Sequence, residues 1–232
     1  MEVAVRDSLV QRNVAAVIKR PLADSREAAY LTAEQAAALL LSLEGDRLAP
    51  LVRFLLSTGL RRGEALALRW EDVDLDGALL RVRGTLGRTS AGLSVGRPET
   101  EKSRRTVPLP RVAVSALRLR LLAQQADRAR VPRAWEDSGS VSTNELGTAL
   151  EPRNVLRRFQ VLAKAAGLPK GVGLHTLRLS TASLLLAAGT HTKVVQEHLG
   201  HSSYAITADI CSHVAPQQAR EAADRLDDSL DW

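Results

Sequence analysis

The stretch from Leu174 to His213 is cut into three short helical segments by two glycines, and this punctuation constrains the fold more than any other feature of the chain. His175 and Arg178 stand three apart at its start, so a helix there presents both on one face. The apolar run Leu184 to Ala188 ends at Gly189, a natural helix stop, and Thr190 or Thr192 is placed to cap a second helix through Val194, Val195 and Leu199. Gly200 ends that helix. His201 follows at once, and Ser202 or Ser203 can cap a third helix carrying Ile206, Ile210, Cys211 and His213. Polar groups therefore collect where helix ends meet.

The rest of the chain reads as support for that stretch. Its 232 residues, 45% hydrophobic and 25% charged, describe one large or two small globular domains. Aromatics make up only 3%, so a core must rest on Leu, Ala and Val, and stacking of bases on aromatic platforms is disfavoured. The net charge is +6, with Arg far ahead of Lys. The planar guanidinium suits phosphate, although composition alone does not separate a polyanionic partner from an Arg-rich solvated surface. A single cysteine excludes an internal disulfide framework and a Cys-based zinc site. No apolar run reaches membrane length, and the N-terminus interleaves apolar residues with charges, unlike a signal peptide; a cytoplasmic protein is expected.

Residues 7–18 have helical spacing through Leu9, Val10, Val14, Ala15 and Val17, and stop before Arg20 and Pro21. Residues 21–30 read as a linker. The main unit, 31–232, opens with Thr32, Glu34 and Gln35, a near capping box for a helix through Ala36 to Leu43. A second helix runs from about Leu48 to Leu56, and Gly59 breaks it. Arg61 then sits at the start of a new helix, where N-termini favour anions, with Glu64 in reach to orient it through a charge-assisted bond. Taken alone, that pair reads as a surface ion pair.

Trp70 to Asp74 makes a turn, Ala78 to Gly84 alternates as a strand, and Gly84 to Gly96 forms a hairpin or mobile loop. Thr100 to Pro110 is a dense basic turn leading into a short strand; a lysine there can swing into a neighbouring site, although by spacing alone the turn is a solvated hairpin. Val112 to Arg130 is a long amphipathic helix with arginines on its outer face. Residues 131–150 are irregular. Glu151 and Pro152 start a helix lasting to about Ala166, whose Arg153, Arg157, Arg158 and Lys164 are candidates for phosphate contacts.

Four motifs in this order resemble the catalytic domain of the tyrosine recombinases, the phage-integrase family. They are Thr58 to Glu64, Glu101 to Leu109, His175 to Arg178, and Leu199 to Ser203. The resemblance covers about residues 30 to 216. It implies an α+β, mainly α-helical fold with a small antiparallel β-sheet. It also identifies 1–20 as the last helix of a mostly absent N-terminal DNA-clamping domain.

The family cleaves and rejoins DNA without metal or nucleotide cofactor, so the resemblance implies no cofactor here. By resemblance, Arg61 and Arg178 clamp the non-bridging oxygens of the scissile phosphate, where charge develops in the transition state. Lys102 is the general acid for the departing 5′ oxygen, His175 assists proton transfer at the nucleophile, and His201 hydrogen-bonds the phosphate. Glu64 supports Arg61, and Arg62, Arg104, Arg105, Arg153 and Arg157 are the expected DNA-backbone contacts. The partner implied is double-stranded DNA at a specific recombination site, with a homotetramer on DNA, a monomer in free solution, and no membrane.

At the position of the family's nucleophilic tyrosine this chain has Cys211. Acidity is no obstacle, since a thiol has a reference pKa of about 8.5 against about 10 for a phenol. Reach is the obstacle, because a misplacement of about 1 Å already costs on the order of 100-fold in rate. Cys211 is therefore expected to be a poor nucleophile, and Tyr204, nearly two helical turns away, does not reach the same point. Two classes remain: a recombinase catalytic domain attenuated at Cys211, and a non-catalytic DNA-binding remnant or regulator. A type IB topoisomerase shares the chemistry but not the wording of these motifs, and no carboxylate cluster accompanies the histidines as a metal-dependent nuclease would need.

Overall fold

The computed structural model describes residues 30–90, 92–96 and 104–200, with short stretches at 5–6 and 10–11. The expected leading helix and linker fall almost wholly outside these residues, as do Lys102, His201, Tyr204 and Cys211. The described residues form seven α-helices and five short strands, an α+β arrangement dominated by helix, as expected.

Thr32 starts helix α1 (Ala33–Ser42) through the expected capping box. Its hydroxyl accepts from Gln35 N at 3.2 Å and the Gln35 amide oxygen accepts from Thr32 N at 3.0 Å, so two N–H groups that lack helical partners are satisfied reciprocally. Helix α2 (Ala49–Thr58) buries Leu51, Val52, Phe54, Leu55 and Leu56, covering nearly its whole circumference. It is the spine of the molecule, packed between the long helix α4 (Arg111–Arg130) and helix α6 (Leu174–Ala187). Each such Leu or Phe contributes about 1.5–3 kcal/mol on burial.

After the short helix α3 (Arg62–Ala67) and a 3-10 turn at Trp70–Asp72, the chain makes β1 (Val73–Asp74) and β2 (Leu79–Val82). With β5 (Arg105–Pro108) these form an antiparallel sheet in the order β1-β2-β5, in which Leu80 pairs with Val107 and turns with it into the core. The segment between them is a separate hairpin, β3 (Thr85–Thr89) with β4 (Gly92–Gly96). Helix α5 (Pro152–Ala165) closes the core with Val155, Phe159 and Leu162, and Arg88 of β3 pairs at 2.5 Å with Glu151, the residue that N-caps α5. Among the described residues no helix is long and apolar enough to cross a membrane.

Two local expectations are corrected, and helix α6 shows a polar side that packing did not require. Helix α7 (Thr192–Leu199) is capped by neither Thr190 nor Thr192 but by His191, whose Nδ1 accepts from Lys193 N at 3.2 Å. Helix α4 does not carry all its arginines outside. Arg120 is buried and donates to Val141 O at 3.0 Å and to the Thr143 hydroxyl at 2.6 Å, closing the irregular 131–150 segment against the helix. Helix α6 is apolar only in part, since Thr176, Ser180, Thr181 and Ser183 are all buried. The Ser180 hydroxyl accepts from Leu31 N at 2.8 Å, and the Thr181 hydroxyl lies 2.8 Å from Leu56 O on α2, so polar bonds hold α6 to its neighbours where apolar contact would be expected.

Candidate functional site

Helix α2 stops because Gly59 takes the left-handed conformation, with φ 64°. Glycine is required twice over there. A Cβ would stand 2.3 Å from a Leu199 methyl carbon and 3.2 Å from Thr181, so α6 and α7 press directly on the end of α2. Two residues on, Arg61 caps α3 with extended backbone, and Glu64 reaches back to it. Glu64 Oε2 accepts from Arg61 N at 2.9 Å and Oε1 from Arg61 Nη1 at 2.8 Å. Glu64 is only 4% exposed, so this is an inward, fixed pair and not the surface ion pair that its sequence spacing allows.

Arg178, on the first turns of α6, is 1% exposed. Its Nη1 donates to Gly59 O at 2.7 Å and its Nη2 to Leu199 O at 2.8 Å, while Arg61 Nη2 donates to Gly200 O at 3.2 Å. The two guanidinium groups thus take up the carbonyls at the C-terminal ends of α2 and α7, where helix dipoles place partial negative charge. Those carbonyls and Glu64 offset the cost of holding two cations side by side. Burial and the neighbouring Arg61 still press Arg178 down to about 9, which leaves it charged at neutral pH.

Arg105 does not stand with the solvent-facing cations of the basic turn. It turns inward from β5, and this corrects its grouping with Arg62 and Arg104. Its Nη1 and Nη2 donate to Glu64 Oε1 and Oε2 at 3.2 and 3.1 Å, and its Nε donates to His198 O at 3.0 Å. Burial alone would raise the Glu64 carboxyl, but the bonds from Arg105 and Arg61 outweigh it and hold Glu64 below the ordinary carboxylate value. The His198 ring lies with Nε2 3.1 Å from Thr58 O, a further side chain closing the end of α2. Burial lowers His198, against the bond to Thr58, and Arg105 and Arg178 lower it further.

Arg61, Arg62, His175 and Arg178 line one pocket of about 480 Å³. Its walls come from the α2–α3 corner, Thr85 and Leu86 of β3, Leu156 of α5, and the N-terminal turn of α6. Gly63 lets the wall close, because a Cβ there would lie 2.2 Å from the Thr85 hydroxyl oxygen. His175 opens onto solvent, but desolvation on its inner side and then Arg178 and Arg61 lower its pKa, so it is neutral at pH 7. Arg153 and Arg157 are exposed on α5, one turn apart and flanking Leu156; Arg62 and Arg104 are also exposed. A larger cleft of about 670 Å³ lies elsewhere, between Asp46, Arg47 and α5, and shares no lining residue with this pocket. Its arginines are committed, Arg47 to Asp127, Arg158 to Asp46 and Arg120 to Val141 and Thr143. The arginine-floored pocket is the candidate site.

Of the expected site residues, the structure brings together Arg61, Glu64, His175 and Arg178, adds Arg105 from below, and places Arg62 at the rim. Lys102, His201 and Cys211 lie outside the described residues. The roles of Arg105 and His198 are not readable from the sequence. Each acts through partners far along the chain, and the only local signal is that Arg105 enters an alternating strand on the side of buried Val107.

Residues 29–218 match the model of the phage integrase family. A tyrosine recombinase XerC-like protein of Caldanaerobacter subterraneus subsp. tengcongensis is 32% identical over 199 residues, covering 81% of this chain and 51% of that protein. Tyrosine recombinase XerD of Mycobacterium leprae is 33% identical over 227 residues, covering 94% of this chain and 67% of that protein. The chain thus spans about half the length of the first of these relatives and about two thirds of the second. Among solved structures, the Tn1549 transposon integrase in complex with transposon right end DNA shares the fold with a TM-score of 0.76 at 21% identity, covering 97% of this chain and 75% of that one.

Proposed function

The chain belongs to the phage integrase family, and from that premise we propose that it is the strand-cleaving and rejoining domain of a site-specific recombinase acting on double-stranded DNA. The observation that carries this reading is the meeting of Arg61 and Arg178 on the floor of a pocket that His175 borders. A phosphodiester seated there gains negative charge on its non-bridging oxygens as a fifth oxygen attacks. Arg178 commits two of its five N–H groups to carbonyls, and the others remain to meet that charge. The cations are anchored before DNA arrives, so little reorganisation accompanies the reaction. The neutral His175 is able to accept a proton from the nucleophile. Family resemblance supplies the remaining roles: Lys102 protonates the leaving 5′ oxygen, His201 bonds the phosphate, and position 211 holds the nucleophile.

Arg62, Arg104, Arg153 and Arg157 contact the flanking phosphates in this reading and carry no sequence information. The leading residues 1–20 belong to a DNA-clamping domain. The protein is monomeric alone and tetrameric on its site, which light scattering with and without DNA tests. A second reading rests on Cys211: with the short thiol in place of a phenol, the domain binds DNA without cutting it.

Nicked suicide DNA carrying the attachment site separates the two readings on denaturing gels. A covalent adduct from Cys211→Tyr and none from the unaltered chain is the expected result. An adduct from the unaltered chain that Cys211→Ala abolishes establishes a working thiol. Salt-dependent binding by both proteins with no adduct from either supports the non-cutting reading.

A further inference from the structure

Arg61 rests on two anchors, the Glu64 carboxylate and the Gly200 carbonyl; Arg105 bonds the first and packs against the residue that carries the second. On Glu64, each oxygen is shared. Oε1 takes Arg61 Nη1 and Arg105 Nη1, and Oε2 takes Arg61 N and Arg105 Nη2. At the other anchor, Gly200 packs so closely on the Arg105 side chain that a Cβ would stand 3.0 to 3.1 Å from its guanidinium and Cδ atoms. Arg105 Nε meanwhile holds His198 O in the last turn of the same helix. The Arg105 side chain is 9% exposed against 39% for Arg61, so the buried arginine is the fixed member of the pair and the pocket-lining one is held by it.

We infer that Arg105 is a positioning residue for the phosphate-clamping Arg61, setting it from both sides through Glu64 and through the end of α7. The inference rests on the proposed recombinase reading for its consequence in catalysis, and on the geometry alone for the positioning itself. A lysine cannot substitute. Its ammonium is a single point, whereas the fork spans both Glu64 oxygens and reaches the His198 carbonyl at once. Arg105 also leads β5 away from the basic turn, so strand, helix start and helix end are joined at one guanidinium.

The test compares Arg105→Lys with the unaltered full-length chain by NMR, following the Arg61 side-chain Nε–H signal, assigned by its loss in Arg61→Lys, and the Glu64 carboxyl titration. The expected result is a shifted or broadened Arg61 signal and a Glu64 pKa that rises toward the ordinary carboxylate value, with core methyl signals such as those of Leu39 and Leu117 unmoved. A folded Arg105→Lys with unchanged Arg61 and Glu64 signals overturns the inference. Should that variant fail to fold, Arg105→Gln, whose amide nitrogen takes the place of Nε near the His198 carbonyl but stops short of the Glu64 oxygens that Nη1 and Nη2 reach, serves for the same comparison of the Arg61 signal. In the Cys211→Tyr background, Arg105→Lys should slow covalent trapping on nicked DNA by about 100-fold, the scale of a displacement near 1 Å, with the DNA Kd unchanged. Weaker DNA binding with an unaltered trapping rate would make Arg105 a DNA contact and overturn the inference. If Cys211→Tyr itself forms no adduct, the recombinase reading fails and the NMR comparison decides the positioning role by itself.

Discussion

Arg178 Nη1 and the backbone oxygen of Gly59 are joined at 2.7 Å, a bond from the last residue of one functional motif to the second residue of another. Its partner bond, from Nη2 to Leu199 O, ends in a third. One side chain thereby closes the C-termini of two helices and holds three motif segments in register, so it is structural before it is chemical. Arg178→Ala leaves two buried carbonyls without a donor and a cavity beside them, and should cost about 3 kcal/mol or more in urea denaturation. Arg178→Lys, with a point charge in place of a fork, should cost about 1–2 kcal/mol and yet abolish trapping in the Cys211→Tyr background. An Arg178→Ala protein as stable as the parent would remove the structural role.

Glu64 makes the stability of this corner acid-sensitive. Its carboxyl lies below the ordinary value of 4.5 in the folded protein because Arg105 and Arg61 bond its charged form more strongly than burial disfavours it. The unfolded chain therefore binds a proton at higher pH than the folded one. The stabilisation is fully present above about pH 4.5 and is lost as pH falls through the lower folded value. Glu64→Gln keeps the shape and removes the charge, so it should be less stable by about 2 kcal/mol at pH 7. The deficit should shrink when urea midpoints are compared down to pH 3; a constant deficit across that range would show that the charge is not what holds the corner.

Gly59→Ala tests the close approach of three helices. The new Cβ requires both a strained positive φ and displacement of Leu199 and Thr181, and Leu199 is completely buried. A loss of about 2–4 kcal/mol is expected. Replacing Gly45 by Ala, also at positive φ but with nothing within 4 Å of its Cβ, should cost about 1 kcal/mol from backbone strain alone. Equal losses at the two sites would deny the packing contribution.

What the sequence made legible is what acts locally. The Thr32 box, the stops at Gly59 and Gly200 and the spacing of Arg61 and Glu64 all operate within four residues, and each stands in the structure as expected. What it concealed is long-range and polar. Arg120 belongs to the arginine pattern of an outer face, and only the carbonyls of the irregular segment draw it inside. Thr176, Ser180, Thr181 and Ser183 break the apolar period of α6 yet are buried, and Leu31 N and Leu56 O, far along the chain, are the partners of Ser180 and Thr181. Arg105 is one of several basic residues in a turn until Glu64 approaches it from α3. No spacing rule anticipates such pairs, since each exists only after the chain has folded back on itself.

His175 should report an anion in the pocket. Its pKa lies below the ordinary 6.5 because of desolvation and then the charges of Arg178 and Arg61. As pH falls through about 6.5 the unfolded chain takes up a proton that the folded imidazole refuses, so His175 contributes a loss of stability that begins near pH 6.5 and is complete below its folded pKa. A dianion seated between the arginines reverses the local field: it offsets both positive charges and favours the imidazolium. In an NMR titration of the imidazole protons, inorganic phosphate should therefore raise the His175 pKa, and Arg61→Gln should raise it without phosphate while weakening the response to it. His191, on the α6–α7 connection and absent from the pocket lining, serves as the internal control. A phosphate response of equal size at His191 and His175 would mean general ionic screening, and the pocket would lose its standing as an anion site.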